Sequence, residues 1–164
     1  MKIYLAGPDV FRKDAIEYGQ QLKAICVDHG HIGLFPMDNE VNFKTPYPYK
    51  IARQIFTANA KMIQQSDIVI ANLNPFRGPS ADVGTVWEVG YAIGLGKKVY
   101  GYRYDRRPYN ERVLNPVNGV TCTPDSTYPN VEDFGLGDNL MIDCSVEMFL
   151  SFEAVLKHLT LIGR

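Results

Sequence analysis

The sequence predicts an α/β fold: a three-layer, flavodoxin-like or Rossmann-like parallel sheet of about five strands with helices on both faces. Three observations carry this reading. Short apolar runs alternate with segments of helical length and periodicity along the whole chain. Turn residues punctuate the runs, with Gly7-Pro8 after the first and Gly96-Lys97-Lys98 after the most apolar helical segment. The 164 residues, of which 46% are hydrophobic, suit one domain over residues 1–164 with a sizeable core.

Lys2–Ala6 reads as the first strand. Ala15–His29 reads as a helix, because Ile16, Tyr18, Leu22, Ile25 and Cys26 share one broad face. His31–Pro36 makes a short second strand and Pro48–Ser66 a second helix. The run Asp67–Leu73 is continuous enough for a buried third strand, and Asp82–Leu95 forms the third helix. Lys98–Tyr102 follows as a fourth strand, Asn139–Ile142 as a short fifth, and Ser145–Leu161 as the closing helix. Two irregular stretches interrupt this order. Met37–Tyr47 carries Asp38, Asn39, Glu40, Phe43 and Tyr47, and Arg103–Gly137 is rich in Pro, Asn, Asp and Tyr. Loops of that length serve as lids or binding loops, or are plain surface excursions. The chain shows no internal repeat, low-complexity tract or domain linker.

Composition removes several function classes. A net charge of −1 gives no electrostatic basis for binding nucleic acid or a membrane surface. No apolar run approaches the ~20 residues that cross a bilayer. Met1–Pro8 is too short for a secretory signal and reads as a strand and its turn. Cys26, Cys122 and Cys144 are odd in number and widely spaced, so reduced thiols in a cytoplasmic protein are expected. His29, His31 and His158 lie in no metal-ligand spacing, and no metal or cofactor is expected. Neither GxGxxG nor GxxxxGK[ST] occurs, so Gly7 reads as a tight turn. Gly90, Gly94 and Gly96 read as permitting close helix–sheet packing.

Chemistry concentrates between Asn72 and Lys97, where strand, glycine-bearing loop and helix place polar groups at the carboxyl edge of a sheet. Asp82 stands where that helix is capped. Glu88 falls between Trp87 and Val89, among residues suited to burial, where an acid is costly unless paired or used. By themselves these residues allow a structural acid with a partner as well as a catalytic one. Tyr4 and Phe11 equally read as core aromatics.

Taken together, the motifs resemble the nucleoside 2-deoxyribosyltransferase family over nearly the whole chain. The likeness runs through Ile3-Tyr-Leu-Ala-Gly-Pro-Asp-Val-Phe11, Pro36-Met-Asp-Asn-Glu40, Asp67–Gly78, the DxGTxxExG core from Asp82 to Gly90, and Asp138-Asn-Leu-Met141. The resemblance implies transfer of a 2-deoxyribosyl group between nucleobases, with Glu88 as the nucleophile that forms a covalent glycosyl-enzyme. It implies that Asp82 binds and protonates the base and that Tyr4 positions the nucleophile. An acid near the base must hold a proton while the nucleophile stays ionised, so their pKa values are expected to diverge. The matched segments also place Phe11, Asp38, Glu40, Phe76, Arg77 and Gly78 among the substrate contacts. Asn139, with Met141 beside it, would reach the sugar 5′-hydroxyl of an adjacent subunit, making a homo-oligomer of at least two and up to six copies with shared sites.

Alignment back from Asp67 puts Asn59 where dual-specificity members carry an acid. With Phe76-Arg77-Gly78, it resembles the purine-preferring members, since an amide both donates and accepts. The chain ends in Gly163-Arg164, so the terminal tyrosine of some members is not matched. Two rivals remain at the level of sequence. A deoxynucleoside 5′-monophosphate N-glycosidase would use water as acceptor; Asp9 would repel its phosphate, whereas Arg12 and Ser80 would favour it. A non-catalytic nucleotide-sensing module would have no use for a nucleophile at Glu88.

Overall fold

Burial with a period of two builds the sheet. In β1 (Lys2–Ala6), Ile3 and Leu5 enter one core while Tyr4 and Ala6 enter the other. In β3 (Ile68–Asn72), Ile68 and Ile70 face the first core, and Val69 and Ala71 the second. β4 (Lys98–Tyr102) splits Tyr100 and Tyr102 from Val99 in the same way. The computed structural model describes residues 1–115 and 127–163, and Cys122 lies outside them.

With β2 (Ile32–Leu34) and β5 (Glu147–Phe149), these strands form one parallel sheet in the order β2-β1-β3-β4-β5. That is the flavodoxin-like order, and its direction reverses between β1 and β3. α1 (Ala15–Asp28) and α6 (Phe152–Ile162) cover one face through Leu22, Cys26, Val155, Leu156 and Leu159. α2 (Pro48–Gln65) and α3 (Val83–Gly94) cover the other through Ile63, Val89 and Ala92. The expected architecture of five parallel strands between two helical layers is present.

The carboxyl-terminal third differs from the expectation. Asn139–Ile142 is not a strand: Asn139 caps a short helix, α5 (Leu140–Asp143), its side chain accepting the Met141 N–H at 3.0 Å. The fifth strand is Glu147–Phe149, inside the segment read as the closing helix. Val146 and Met148 pack on the α2/α3 side and Phe149 on the other, an alternation too short to stand out in sequence. The closing helix begins only at Phe152, where Ser151 accepts the Ala154 N–H at 3.2 Å. Gly90 and Gly94 do not pack on the sheet either. They lie on the exposed side of α3, where an added Cβ meets nothing within 4 Å.

The stretch read as irregular after Arg103 holds a further helix, α4 (Tyr109–Leu114), too short for its periodicity to show. Its Arg112 is buried, pairs with Asp138 at 3.4 Å and donates to the Gly137 carbonyl. Arg103 and Asp143 form a second buried pair with two bonds of 2.9 and 3.1 Å. Asp138 also accepts the N–H groups of Ala81 at 3.2 Å and Asn139 at 2.9 Å, tying this region to the start of α3.

In α1, Gly19 is a point of close approach. The Phe35 ring lies so near that a Cβ there would sit 2.4 Å from its Cδ1 atom. Gly19→Ala is therefore expected to lower stability although alanine is the better helix former. The overpacking cost of about 1–3 kcal/mol outweighs a propensity gain of about 1 kcal/mol at most, and urea denaturation measures the balance.

Candidate active site

The sheet's switch point leaves a crevice beyond the carboxyl ends of β1 and β3, and a cavity of about 570 Å³ opens there. Its floor comes from α3. Thr85, Glu88, Val89 and Ala92 follow the i, i+3, i+4, i+7 pattern that faces the sheet, so Glu88 occupies a place in the buried stripe. β1 answers it: Tyr4, itself fully buried, donates its hydroxyl to Glu88 Oε1 at 2.5 Å. Asp82 caps the same helix, its Oδ2 accepting the Thr85 N–H at 2.9 Å and the Thr85 hydroxyl at 3.0 Å. Asp82 and Glu88 both line the cavity.

Burial shifts these groups in defined directions. Desolvation pushes Glu88 up from 4.5 to about 7, with the Asp82 charge adding to the rise, while hydrogen bonds from Tyr4 and Asn59 oppose it. Tyr4 is raised well above the ordinary tyrosine range by burial and by Glu88, so it stays protonated and remains a donor. The expected nucleophile is thus itself raised, because burial penalises its charged form by more than its hydrogen bonds favour it.

The remaining predicted residues divide. Phe11 and Asn59 line the cavity. Phe76 stacks on Phe11 at 5.4 Å between ring centroids, and the Arg77 guanidinium lies over both rings at 4.7 and 5.1 Å. These two, with Gly78, stand behind Phe11 and outside the lining. Asp38 also lies outside it, accepting the Phe35 N–H at 3.0 Å and the Lys23 ammonium at 2.5 Å. Glu40 is exposed and does not line it. Asn39, which is not among the residues predicted to contact substrate, does line it, bonded to Asn59 Oδ1 at 3.0 Å. An asparagine between two acids offered no signal of its own. Asn139 and Met141 are not in this chain's own cavity; Asn139 donates to Glu132 at 2.5 Å and Met141 is 72% exposed. Among the described residues, no three His, Cys, Asp or Glu side chains gather as a metal site.

The family model described as nucleoside 2-deoxyribosyltransferase matches residues 3–141, a span that contains Tyr4, Asn59, Asp82 and Glu88. This chain belongs to that family. A 2-desoxiribosyltransferase from Leishmania mexicana is 34% identical and superposes with a TM-score of 0.75, covering 98% of this chain and 97% of its own. A 2-deoxyribosyltransferase from Bacillus psychrosaccharolyticus shares the fold at 24% identity and a TM-score of 0.61, over 95% of this chain and 90% of its own. Among curated proteins, an uncharacterized protein of Schizosaccharomyces pombe is 38% identical over 113 residues. That match takes in 68% of this chain, which spans about half the length of the relative, 54%.

For a deoxyribosyltransferase-family carboxylate with a pKa near 7, pH decides the ionised fraction. Any activity that needs ionised Glu88 is expected to fall on the acid side with a midpoint near 7. Tyr4→Phe removes a donor that favours the charged form and moves that midpoint upward, as kcat/KM against pH will show. Stability runs the other way. Because the folded pKa exceeds the unfolded one, the folded state holds more protons between pH 4.5 and 7, and stability declines as pH rises through that window. Glu88→Gln removes the titrating group and is expected to exceed wild type above pH 7 by about 1–3 kcal/mol in urea denaturation.

Proposed function

We propose that this protein transfers the 2-deoxyribosyl group between nucleobases, with purines preferred, as a pentosyltransferase of cytoplasmic nucleoside salvage. The observation that carries the reading is the hydrogen bond from buried Tyr4 to Glu88, which lines a cavity together with Asp82. A carboxylate oxygen of Glu88 attacks C1′ on the face opposite the base. The C1′–N bond breaks, its electron pair passes to the base nitrogen, and a proton delivered by way of Asp82 lets the base leave neutral. A second base then attacks C1′ from the vacated side and gives up its N–H proton by way of Asp82, the glycosyl ester bond breaks with its electron pair returning to Glu88, and two inversions give net retention. The absent 2′-hydroxyl removes an electron-withdrawing group from an oxocarbenium-like transition state, and that positive charge in turn favours ionised Glu88.

The lining supports an uncharged nucleoside over a 5′-monophosphate. It contains the Asp82 and Glu88 carboxylates and, among the described residues, no lysine, arginine or histidine. Arg12 is paired with Asp14 at 2.9 Å, and neither it nor Ser80 lines the cavity. Asp9, expected to repel a phosphate, is instead buried against Asn72 at 2.9 Å. Among the described residues no helix is long and apolar enough to cross a membrane, and Cys26 and Cys144 are free thiols.

The shared-site homo-oligomer belongs to the same proposal. The outer side of α2 and α3 exposes Phe56, Val83 and Trp87, a patch of the kind that a second copy covers. α5 lies on that side of the sheet, since Ile142 packs in the same core as Val89 and Ala92. Asn139 would then reach the 5′-hydroxyl in the neighbouring subunit.

Three outcomes test the proposal. Glu88→Ala is expected to abolish transfer and any hydrolysis, while wild type treated with a 2-fluoro-2-deoxy nucleoside gains one sugar mass on the peptide carrying Glu88. Appreciable turnover by the alanine variant would refute the covalent mechanism. Deoxyinosine with adenine should exchange faster than thymidine or deoxyuridine with adenine; equal rates would remove the purine preference and leave the family intact. Asn139→Ala mixed with Glu88→Ala should regain activity, because a mixed dimer has one site free of both lesions. No recovery despite proven subunit exchange would place Asn139 in its own subunit's site.

A further inference from the structure

Besides Glu88 and Asp82, the cavity is lined by a pair of amides, one of which, Asn39, has no part in the proposed chemistry. Asn39 and Asn59 meet across it, one from the turn after β2 and one from α2. The oxygen and nitrogen of a side-chain amide have nearly the same shape, so an amide's orientation is decided by partners of unambiguous type. The Pro36 carbonyl is such a partner, because it can only accept. Asn39 Nδ2 lies 2.9 Å from it, so this prong of Asn39 must be the NH2 group. The same nitrogen lies 3.0 Å from Asn59, whose facing atom must then be Oδ1. It follows that the NH2 of Asn59 is turned the other way.

We propose that Asn39 is a positioning residue, holding the Asn59 amide so that it acts only as a hydrogen-bond donor toward Glu88 and the cavity. The brace behind it is rigid. Pro36 presets the turn, and Asp38 locks it through the Phe35 N–H and the Lys23 ammonium of α1. The groups facing Glu88 are then Tyr4 from β1, Asn59 from α2 and Asp82 from the start of α3, two donors against one like charge. A reversed Asn59 would turn a carbonyl dipole toward the carboxylate and disfavour its ionised form. The same orientation bears on the substrate: a base is held at Asn59 through an acceptor atom on its edge, and an edge offering N–H there meets a donor.

The role of Asn39 in turnover rests on the deoxyribosyl-transfer reading, but the positioning itself can be followed without turnover. Carbon-13 NMR of the Glu88 carboxyl, assigned with Glu88→Gln, reports its titration directly. Asn39→Ala is expected to move the Glu88 midpoint upward and to lower kcat/KM about tenfold, the scale of one lost charge-assisted hydrogen bond. In an Asn59→Ala background, Asn39→Ala should change neither quantity further, because its effect passes through that amide. Asn39→Leu, close in volume and without a donor, serves if the alanine variant does not fold. An unmoved Glu88 titration, or a full independent effect of Asn39 in the Asn59→Ala background, would overturn the proposal. A moved titration in a protein that shows neither transfer nor hydrolysis would instead refute the functional reading and leave the positioning in place.

Discussion

A carboxylic acid on the buried stripe of a helix is the constraint around which this site is arranged. Glu88 shares its face of α3 with Thr85, Val89 and Ala92, where an unpaired carboxylate would cost several kcal/mol, on the order of the penalty for any isolated buried charge. The hydroxyl of Tyr4 meets that cost in part, from the neighbouring strand and at 2.5 Å. The compensation is incomplete, and Glu88 remains raised to about 7. A group left in that state is ionised or protonated within reach of neutral pH, which suits the nucleophilic role proposed for it. The stability forgone by keeping it there is the usual trade at a functional site.

Everything else that positions the site follows from the doubly wound topology. The strand order reverses between β1 and β3, so the helix after β3 and the turn after β1 diverge and leave a crevice. Tyr4 and Val69 are register partners across that pair, which sets the tyrosine beneath α3. Gly7 keeps the turn after β1 tight, since a Cβ there would lie 2.8 Å from the Cβ of Asn72. At the far end, buried Asp138 accepts from both Ala81 and Asn139, so the cap residue Asp82 and the α5 segment are braced by one carboxylate. Arg112 of α4 supplies its counter-charge.

Much of the fold was legible because its signals are local. The first four strands and the three long helices were visible as apolar runs and helical periodicity, and their parallel order follows from strict alternation. The fifth strand was not. Glu147–Phe149 has three residues, and their alternation between two cores has no meaning until both cores exist. Asn139–Ile142 misled for the opposite reason: its apolar residues suit a strand, but the Asn139 cap and the ion pairs around Asp138 and Asp143 favour a helical turn. α4 escaped notice because six residues give fewer than two turns of pattern.

The sequence by itself determined that this chain is an α/β domain of the deoxyribosyltransferase family, with an acid placed inside an apolar helix and a second acid at its cap. Those facts rest on spacing along one segment, which a linear pattern can carry. The resemblance also pointed to Tyr4, 84 residues away from Glu88, but only the tertiary structure decided how the two meet, through a hydrogen bond of 2.5 Å. Likewise, Asp38 and Glu40 were the conspicuous residues of their loop, yet Asn39 is the one whose side chain enters the cavity. A turn's handedness decides which of three successive residues points inward, and that depends on Pro36, Lys23 and Phe35 acting together. Charge made the acids visible in the sequence, whereas geometry selected the amide.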